Sequence, residues 1–334
     1  MEIGAENVLI VLADKKDSGE LRLLGGGEAR VRGMEKGEIT HVGDLVESIA
    51  DAADKARHSA GISIEKLYYN LDDPKVESVW PVGSKILDGE GEIQDADVQA
   101  GVQAAERLAG NFEKKVMYAA EIDYIIDDKD PVMDPIGIFG HKLDVKVHLL
   151  LAQAGRCDAW KRFLRRAGFS KTVPVLSGLS SAYGILNFQE RQDKKIVWDL
   201  EKDYLTGLVL AAGRIQEYRS LLSGEAGWGH LSGVVLALCQ DFQKKCPGVS
   251  EVILTGEFSK DERFFSELKS SLDIPVRSAV PQGMAKLSEP SHASIAGLLQ
   301  LAGEIENKSV VMRPEKKTLT DAREKVRSFL SDYF

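Results

Sequence analysis

Few residues in this chain stand at spacings that do chemistry, and each such group has a plainer reading beside it. The triplet Gly25, Gly26, Gly27 could bring backbone N–H groups up to a phosphate, but the dinucleotide fingerprint Gly-x-Gly-x-x-Gly fails at Arg30. Strand-end glycines are the expectation there. No Gly-Lys-Ser/Thr loop exists, which excludes a P-loop enzyme on motif grounds. Ser180 and Ser181 follow Gly178 and Leu179 without forming a Gly-x-Ser-x-Gly elbow, so they are expected to cap a helix. The acidic group Glu121, Asp123, Asp127, Asp128 and Asp130 lacks the glycine and the terminal Glu of a calcium loop and reads as a solvated turn. The six histidines are scattered, and His148, inside the apolar run Val147 to Leu151, reads as a core or pocket-wall residue. Cys157, Cys239 and Cys246 match no zinc or Cys-x-x-Cys spacing and read as reduced thiols. None of these groups amounts to a catalytic site.

The elements that would position them alternate between strand and helix. Val8 to Leu12 and Leu21 to Leu24 predict a hairpin, and Val42, Leu45, Val46, Ile49 and Ala53 predict a helix that Gly61 stops. Strands are expected near Lys66, over Val76 to Val82 and over Lys85 to Leu87. Asp95 is expected to cap a helix that ends at Gly110. Strands over Lys115 to Ala120 and Lys142 to Leu151 complete an α+β unit inside the first half. A helix over Asp158 to Ala167, a strand over Val173 to Leu176 and a helix over Ser180 to Phe188 follow. Strands at 196–199, 205–211, 215–221, 251–255 and 276–278, with helices at 231–246, 259–271 and 291–305, repeat that grammar. Two halves of like grammar imply a duplicated α/β architecture facing across a cleft.

A chain of 334 residues has room for about two domains. With 43% hydrophobic and 28% charged residues it is an ordinary folded protein, neither disordered nor low in complexity. No run approaches 18 apolar residues and no signal-peptide pattern follows Met1, so a cytoplasmic protein is expected. The net charge of −9 repels phosphate backbones and argues against nucleic-acid partners. The polar stretch 307–319, with Pro314, reads as a linker. Beyond it, Leu319, Ala322, Val326, Phe329, Leu330 and Tyr333 share one helical face, Phe334 follows, and residues 312–334 carry six Lys and Arg against four Asp and Glu. Such a helix suits an anionic membrane surface or docking on a protein.

The stretch from Glu121 to Gly168, above all Asp134 to His148 (DPIGIFGHKLDVKVH) and Arg166 to Phe169, resembles bacterial FtsA, the actin-fold protein of cell division. Glu2 to Asn7 stands in place of that family's first phosphate loop, Gly37 to Thr40 precedes the first helix, Val252 to Gly256 stands at the adenosine loop, and Glu289 to Leu299 resembles its late helix. The resemblance implies two actin-like, ribonuclease H-like lobes (1–65 with 152–190, and a shortened 191–306), an inserted FtsA-type subdomain (66–151), a linker (307–319) and a C-terminal amphipathic helix (320–334).

The departures carry equal weight. Where the family has Asp-x-Gly-Thr-Thr/Ser, Glu2, Ala5 and Glu6 stand and only Gly4 remains, so Glu6 would aim a carboxylate at phosphate. Where the second loop is glycine-rich, Asp199, Glu201 and Asp203 surround Lys202 and no glycine lets the backbone approach a phosphate. At the third, Thr255 and Gly256 persist while Glu257 and Phe258 replace small residues. Only 57 positions separate Asp199 from Gly256, which omits the subdomain that receives the FtsZ tail and leaves FtsZ a doubtful partner. The implied function is a non-hydrolytic, pseudo-ATPase scaffold linking cell-division or envelope proteins to the inner membrane face. Its partner surface would be the inserted unit with Ile136, Ile138 and Phe139, its membrane contact Val326, Phe329, Leu330, Tyr333 and Phe334, and self-association is open. No cofactor or metal is expected unless the pocket still takes ATP with magnesium. The alternatives are a divergent, polymerising ATPase and an adaptor resembling PilM, which holds a membrane protein's short tail beside the same inserted unit.

Overall fold

The computed structural model describes residues 1–15, 21–223, 231–284 and 286–306. The linker, the C-terminal helix and its residues Val326, Phe329, Leu330, Tyr333 and Phe334 lie outside that set. The chain opens with β1 (Glu2–Ile3), β2 (Asn7–Lys15) and β3 (Leu21–Arg30), paired antiparallel in the order β1-β2-β3. A small ribbon of β4 (Met34–Glu35) and β5 (Glu38–Ile39) leads into α1 (Val42–Ala60), which ends at Gly61 with φ +69° as its left-handed stop. Met1 joins this sheet to β6 (Leu67–Leu71). Its nitrogen donates to the Tyr68 carbonyl at 2.7 Å and its carbonyl accepts the Asn70 N–H at 3.1 Å. β6 pairs in parallel with β11 (Thr172–Leu176).

Between β6 and β11 sits the inserted unit: β7 (Glu77–Val79), β8 (Val82–Glu92), α2 (Asp95–Ala109), β9 (Lys114–Ile126) and β10 (Phe139–Gln153), followed by α3 (Ala154–Arg166). β10 is its spine, pairing with β7, β8 and β9. One side of the sheet buries Leu143, Val145, Val147 and Leu149 against Val98, Val102 and Ala105 of α2, a core separate from those of the lobes. The boundary expected at residue 66 is corrected here, since β6 hydrogen-bonds to β11 in the first lobe and the inserted sheet starts at β7.

The second lobe comprises α4 (Ser177–Ile185), β12 (Lys195–Leu200), β13 (Tyr204–Ala211), β14 (Arg214–Leu222), α5 (Leu231–Lys245), β15 (Glu251–Thr255), α6 (Glu262–Ser271), β16 (Val276–Ser278) and α7 (Ala293–Glu306), although α4 and α7 pack together under the first lobe's core. Its sheet runs β14-β13-β12-β15-β16, an antiparallel pair of hairpin contacts followed by parallel ones. That order echoes β3-β2-β1 followed by β6 and β11.

Several local readings change. The Gly25 to Gly27 triplet lies within β3, not at its end, because a Cβ on Gly27 would stand 2.1 Å from the Ala52 carbonyl of α1. Those glycines let helix and sheet approach. Gln94, not Asp95, caps α2, exchanging hydrogen bonds with Asp97 in a capping box. α6 begins at Glu262 because the Asp261 carboxylate accepts from the N–H groups of Arg263 and Phe264. Ser180 and Ser181 are buried inside α4, which starts at Ser177, and cap nothing. Cys157, Cys239 and Cys246 are buried thiols, none of them in a disulfide among the described residues, and His148 is fully buried as a core residue.

Candidate functional site

The strand ends of both lobes converge on one small cleft. β1 delivers Glu2, the end of β6 delivers Asp72, and the end of β12 with its turn delivers Asp199, Glu201 and Asp203. Gly4, Ala5, Asn70, Ser177, Tyr204 and Ser294 complete the walls of a cavity of about 40 Å³. That is room for a few waters at most.

Serine hydroxyls hold the acids. Ser294 donates to Glu2, Ser177 to Asp72, and Ser181 to Asp199 Oδ2 at 2.5 Å, while Asp199 Oδ1 and Asn70 Nδ2 have no hydrogen-bond partner among the described residues. Burial dominates the electrostatics and pushes the Glu2 carboxyl up to about 7, against the pull of the Ser294 hydroxyl. Burial likewise raises Asp72, Asp203 and the neighbouring Asp199 and Glu201, and the Asp199 charge adds to the rise at Glu201. Among the described residues no lysine or arginine lines the cavity.

Contacts between the lobes close its mouth. The Tyr204 hydroxyl of β13 donates to the Gly37 carbonyl at 2.8 Å and accepts from Arg156 Nη2 of α3. A Cβ on Gly37 would stand 2.6 Å from the Tyr204 ring, and the backbone there has φ +76°, so glycine is required twice over. Lys202 Nζ meets Glu6 Oε1 at 2.8 Å.

The expected site residues therefore divide. Glu2, Gly4, Ala5, Asp199, Glu201 and Asp203 line the cleft. Glu6 does not aim into it; its carboxylate faces solvent and Lys202, which holds it below the usual carboxylate range. Thr255 is buried behind the wall, its hydroxyl 3.1 and 3.0 Å from the carbonyl oxygens of Ala279 and Pro290. Gly256 packs on Asp199 and Leu200, where a Cβ would stand 2.6 Å from the Leu200 backbone, and Glu257 adds its charge to the field at Glu201 from outside. Asp72, Asn70, Ser177, Ser181 and Ser294 escaped the sequence reading. Their signal, a small polar residue just past a buried strand or inside a helix, has no fixed spacing.

Among the described residues no group of three or more His, Cys, Asp or Glu side chains is placed to hold a metal ion. No described helix is long and apolar enough to cross a membrane.

A second hollow lies where the inserted unit meets both lobes. Tyr118 to Glu121 of β9, Leu179 and Tyr183 of α4, Phe188, Arg191 and the β13–β14 turn at Ala212 to Arg214 enclose about 590 Å³. Among the described residues β9 pairs along its length with β10, apart from one bridge between Tyr124 and Val132, and the Arg214 guanidinium donates to the Glu121 carbonyl where β9 borders this groove. Tyr118 and His148 fix the floor. The Tyr118 hydroxyl accepts the Ile215 N–H at 2.9 Å, and His148 Nδ1 lies 2.8 Å from the Ile215 carbonyl. Arg191 lies over the Tyr183 ring, 4.1 Å from its centroid, and meets Glu304 at 3.5 Å. Ile136, Ile138 and Phe139 stand elsewhere on the inserted unit, 41%, 38% and 59% exposed, in a loop pinned by hydrogen bonds between Ile93 and both Gly137 and Ile138.

Comparison with known proteins agrees with this geometry. Residues 75–151 match the family model described as the SHS2 domain inserted in FTSA. The cell division protein FtsA of Pseudomonas aeruginosa is 27% identical over 192 residues, covering 58% of this chain and 46% of that relative. FtsA of Escherichia coli K12 is 24% identical over 306 residues, covering 90% and 70%. The chain spans about half the length of the first curated relatives it matches. Among solved structures, the PilM-PilN type IV pilus biogenesis complex superposes with a TM-score of 0.61 at 15% identity, over 90% of this chain and 97% of that one. The chain is thus homologous to the FtsA and actin-like ATPase superfamily, carries an FtsA-type inserted subdomain and has a PilM-like actin fold.

Proposed function

We propose that the protein is an actin-fold adaptor that holds an extended segment of a membrane-assembly or envelope protein in the groove beside β9, and that its interlobe cleft turns over no nucleotide. The contrast between the two hollows carries this reading: about 40 Å³ walled by acids in the cleft, about 590 Å³ beside β9 at the groove. Small-molecule sites occupy roughly 300–1,000 Å³. A nucleotide would have to part the Tyr204–Gly37 and Lys202–Glu6 contacts, and its phosphates would then face five carboxyls without a lining cation. The residues present do not fit ATP with magnesium.

The groove suits a strand. A peptide can add to the β9 edge by main-chain hydrogen bonds, with Phe188, 71% exposed, and Tyr183 beside its side chains. The likeness to PilM, in a complex with PilN, favours this adaptor over the FtsA-like scaffold, since this chain covers 97% of that solved chain but 46% and 70% of the Pseudomonas aeruginosa and Escherichia coli FtsA proteins. The C-terminal helix would hold the adaptor at the inner membrane face.

Two measurements on the full chain test the reading. Calorimetry with Mg-ATP at millimolar concentration is expected to give no binding heat; tight, magnesium-dependent binding would instead establish the divergent, polymerising ATPase. Fluorescence anisotropy with labelled cytoplasmic N-terminal segments of single-span envelope proteins is expected to find a binder. Phe188→Asp should weaken it about tenfold, or ~1.4 kcal/mol. A binder indifferent to Phe188→Asp would place the partner elsewhere, with the Ile136 to Phe139 loop next to be tested.

A further inference from the structure

A third hollow, of about 260 Å³, lies on the opposite side of the first lobe, walled by Leu12 of β2, Leu21 of β3, Tyr68 of β6 and Leu298, Leu299 and Ala302 of α7. Its walls are apolar except for Lys66, whose ammonium lies 4.9 Å over the Tyr68 ring. Lys66 is the one charged side chain among the described lining residues, so an occupant that fills the hollow must bring apolar side chains. The wall on the α7 side reaches Gly303, and α7 ends at Glu306. The described chain thus ends within one helical turn of the groove, and 28 residues follow in the sequence. They include Leu319, Ala322, Val326, Phe329, Leu330 and Tyr333, which share one face at helical spacing.

We propose that residues 319–333 of this chain dock in cis along this groove, apolar face inward, and that an anionic membrane surface competes for the same face. The reach is sufficient. Residues 307–318 span at most about 40 Å when extended, and a helix of that final length is about 22 Å long, so it can double back beside α7. Tethering favours the chain's own segment, because a short flexible linker sets an effective concentration in the millimolar range, above that of a second copy in solution. Charge adds to it: residues 312–334 carry a +2 excess on a chain of net −9. Each helix can bury its apolar face once, so docking lowers membrane affinity by the docked fraction.

The full chain carrying Leu299→Cys and Phe329→Cys, oxidised in dilute solution without lipid, tests the docking. The native Cys157, Cys239 and Cys246 are buried. The expected product is a monomer with an internal disulfide, seen by peptide mass mapping. Vesicles of phosphatidylcholine and phosphatidylglycerol should suppress that bond. In the otherwise native chain, Leu299→Asp should raise the vesicle-sedimented fraction about threefold or more, an effect lost on deleting residues 319–334. A disulfide found only between two chains would overturn the proposal in favour of a second copy. Absence of any cross-link would overturn it outright, whether or not Leu299→Asp disturbs folding. Neither result depends on what occupies the groove beside β9.

Discussion

Glu2 is the acid of the interlobe cleft whose proton the fold holds most plainly. A carboxylate at the first strand end, buried and answered by the Ser294 hydroxyl, keeps its proton up to about pH 7, whereas an unfolded chain gives it up near 4.5. The folded state therefore binds more protons than the unfolded state between those values. Stability is greatest at or below about pH 4.5 as far as this group is concerned, falls as pH rises to about 7, and is flat beyond. The loss is on the order of 3 kcal/mol for Glu2 alone. Glu2→Gln, which keeps the shape and needs no proton, should flatten that part of the profile. Urea unfolding midpoints of both proteins between pH 5 and 8 would check it, and equal slopes would remove Glu2 from the account. Glu2, Asp199, Glu201 and Asp203 were legible in the sequence because a resemblance fixed where phosphate loops should be. Glu6 was misread because sequence order does not say which way a turn residue points. Only the folded chain brings Lys202 to it.

Among the elements, helix periodicity and strand runs located the major segments, but their ends moved. α3 and α4 start four and three residues before the expected positions without a side-chain cap. β9 runs on through Glu121 and Asp123, which were expected in a solvated turn, because its pairing with β10 continues to Ile126 and buries Glu121. Gln94 with Asp97 and Asp261 each displaced an expected helix start by a residue or more. The glycines of β3 were the larger miss, since only the packed structure distinguishes a strand-end glycine from one that seats a helix. Two substitutions separate these roles. Gly27→Ala forces a methyl to 2.1 Å from the Ala52 carbonyl and must displace α1, so it should cost about 1–3 kcal/mol. Gly43→Ala, in the first turn of α1 with nothing within 4 Å of the new methyl, should stabilise by about 0.5–1 kcal/mol. Thermal melts of the two variants should move in opposite directions. A neutral Gly27→Ala would mean that α1 is not held as closely to β3 as the geometry requires.

At the scale of the whole molecule, the inserted unit has its own core, lends Tyr118 to the core of the lobes, and makes polar contacts with the second lobe at Arg214, which donates to the Glu121 carbonyl, and at Ile215. Tyr118 of β9 and His148 of β10 grip the N–H and the carbonyl of Ile215, beside the irregular register where β14 leaves β13. The same residues floor the groove beside β9, so the proposed adaptor depends on this clasp staying shut. Tyr118→Phe keeps the ring's packing and leaves the buried Ile215 N–H without its acceptor, which costs about 1–3 kcal/mol at that contact. The change removes one hydroxyl from the core that Tyr118 shares with the lobes and keeps the ring that packs there. Hydrogen exchange should accordingly quicken at Ile215 and along the neighbouring stretch of β9, while amides of β12 and β15 keep their protection. Any segment bound in the groove should be released faster in the same variant. Uniform loss of protection across the molecule would instead show that inserted unit and lobes unfold as one body, and the groove would then be a fixed wall rather than a clasp.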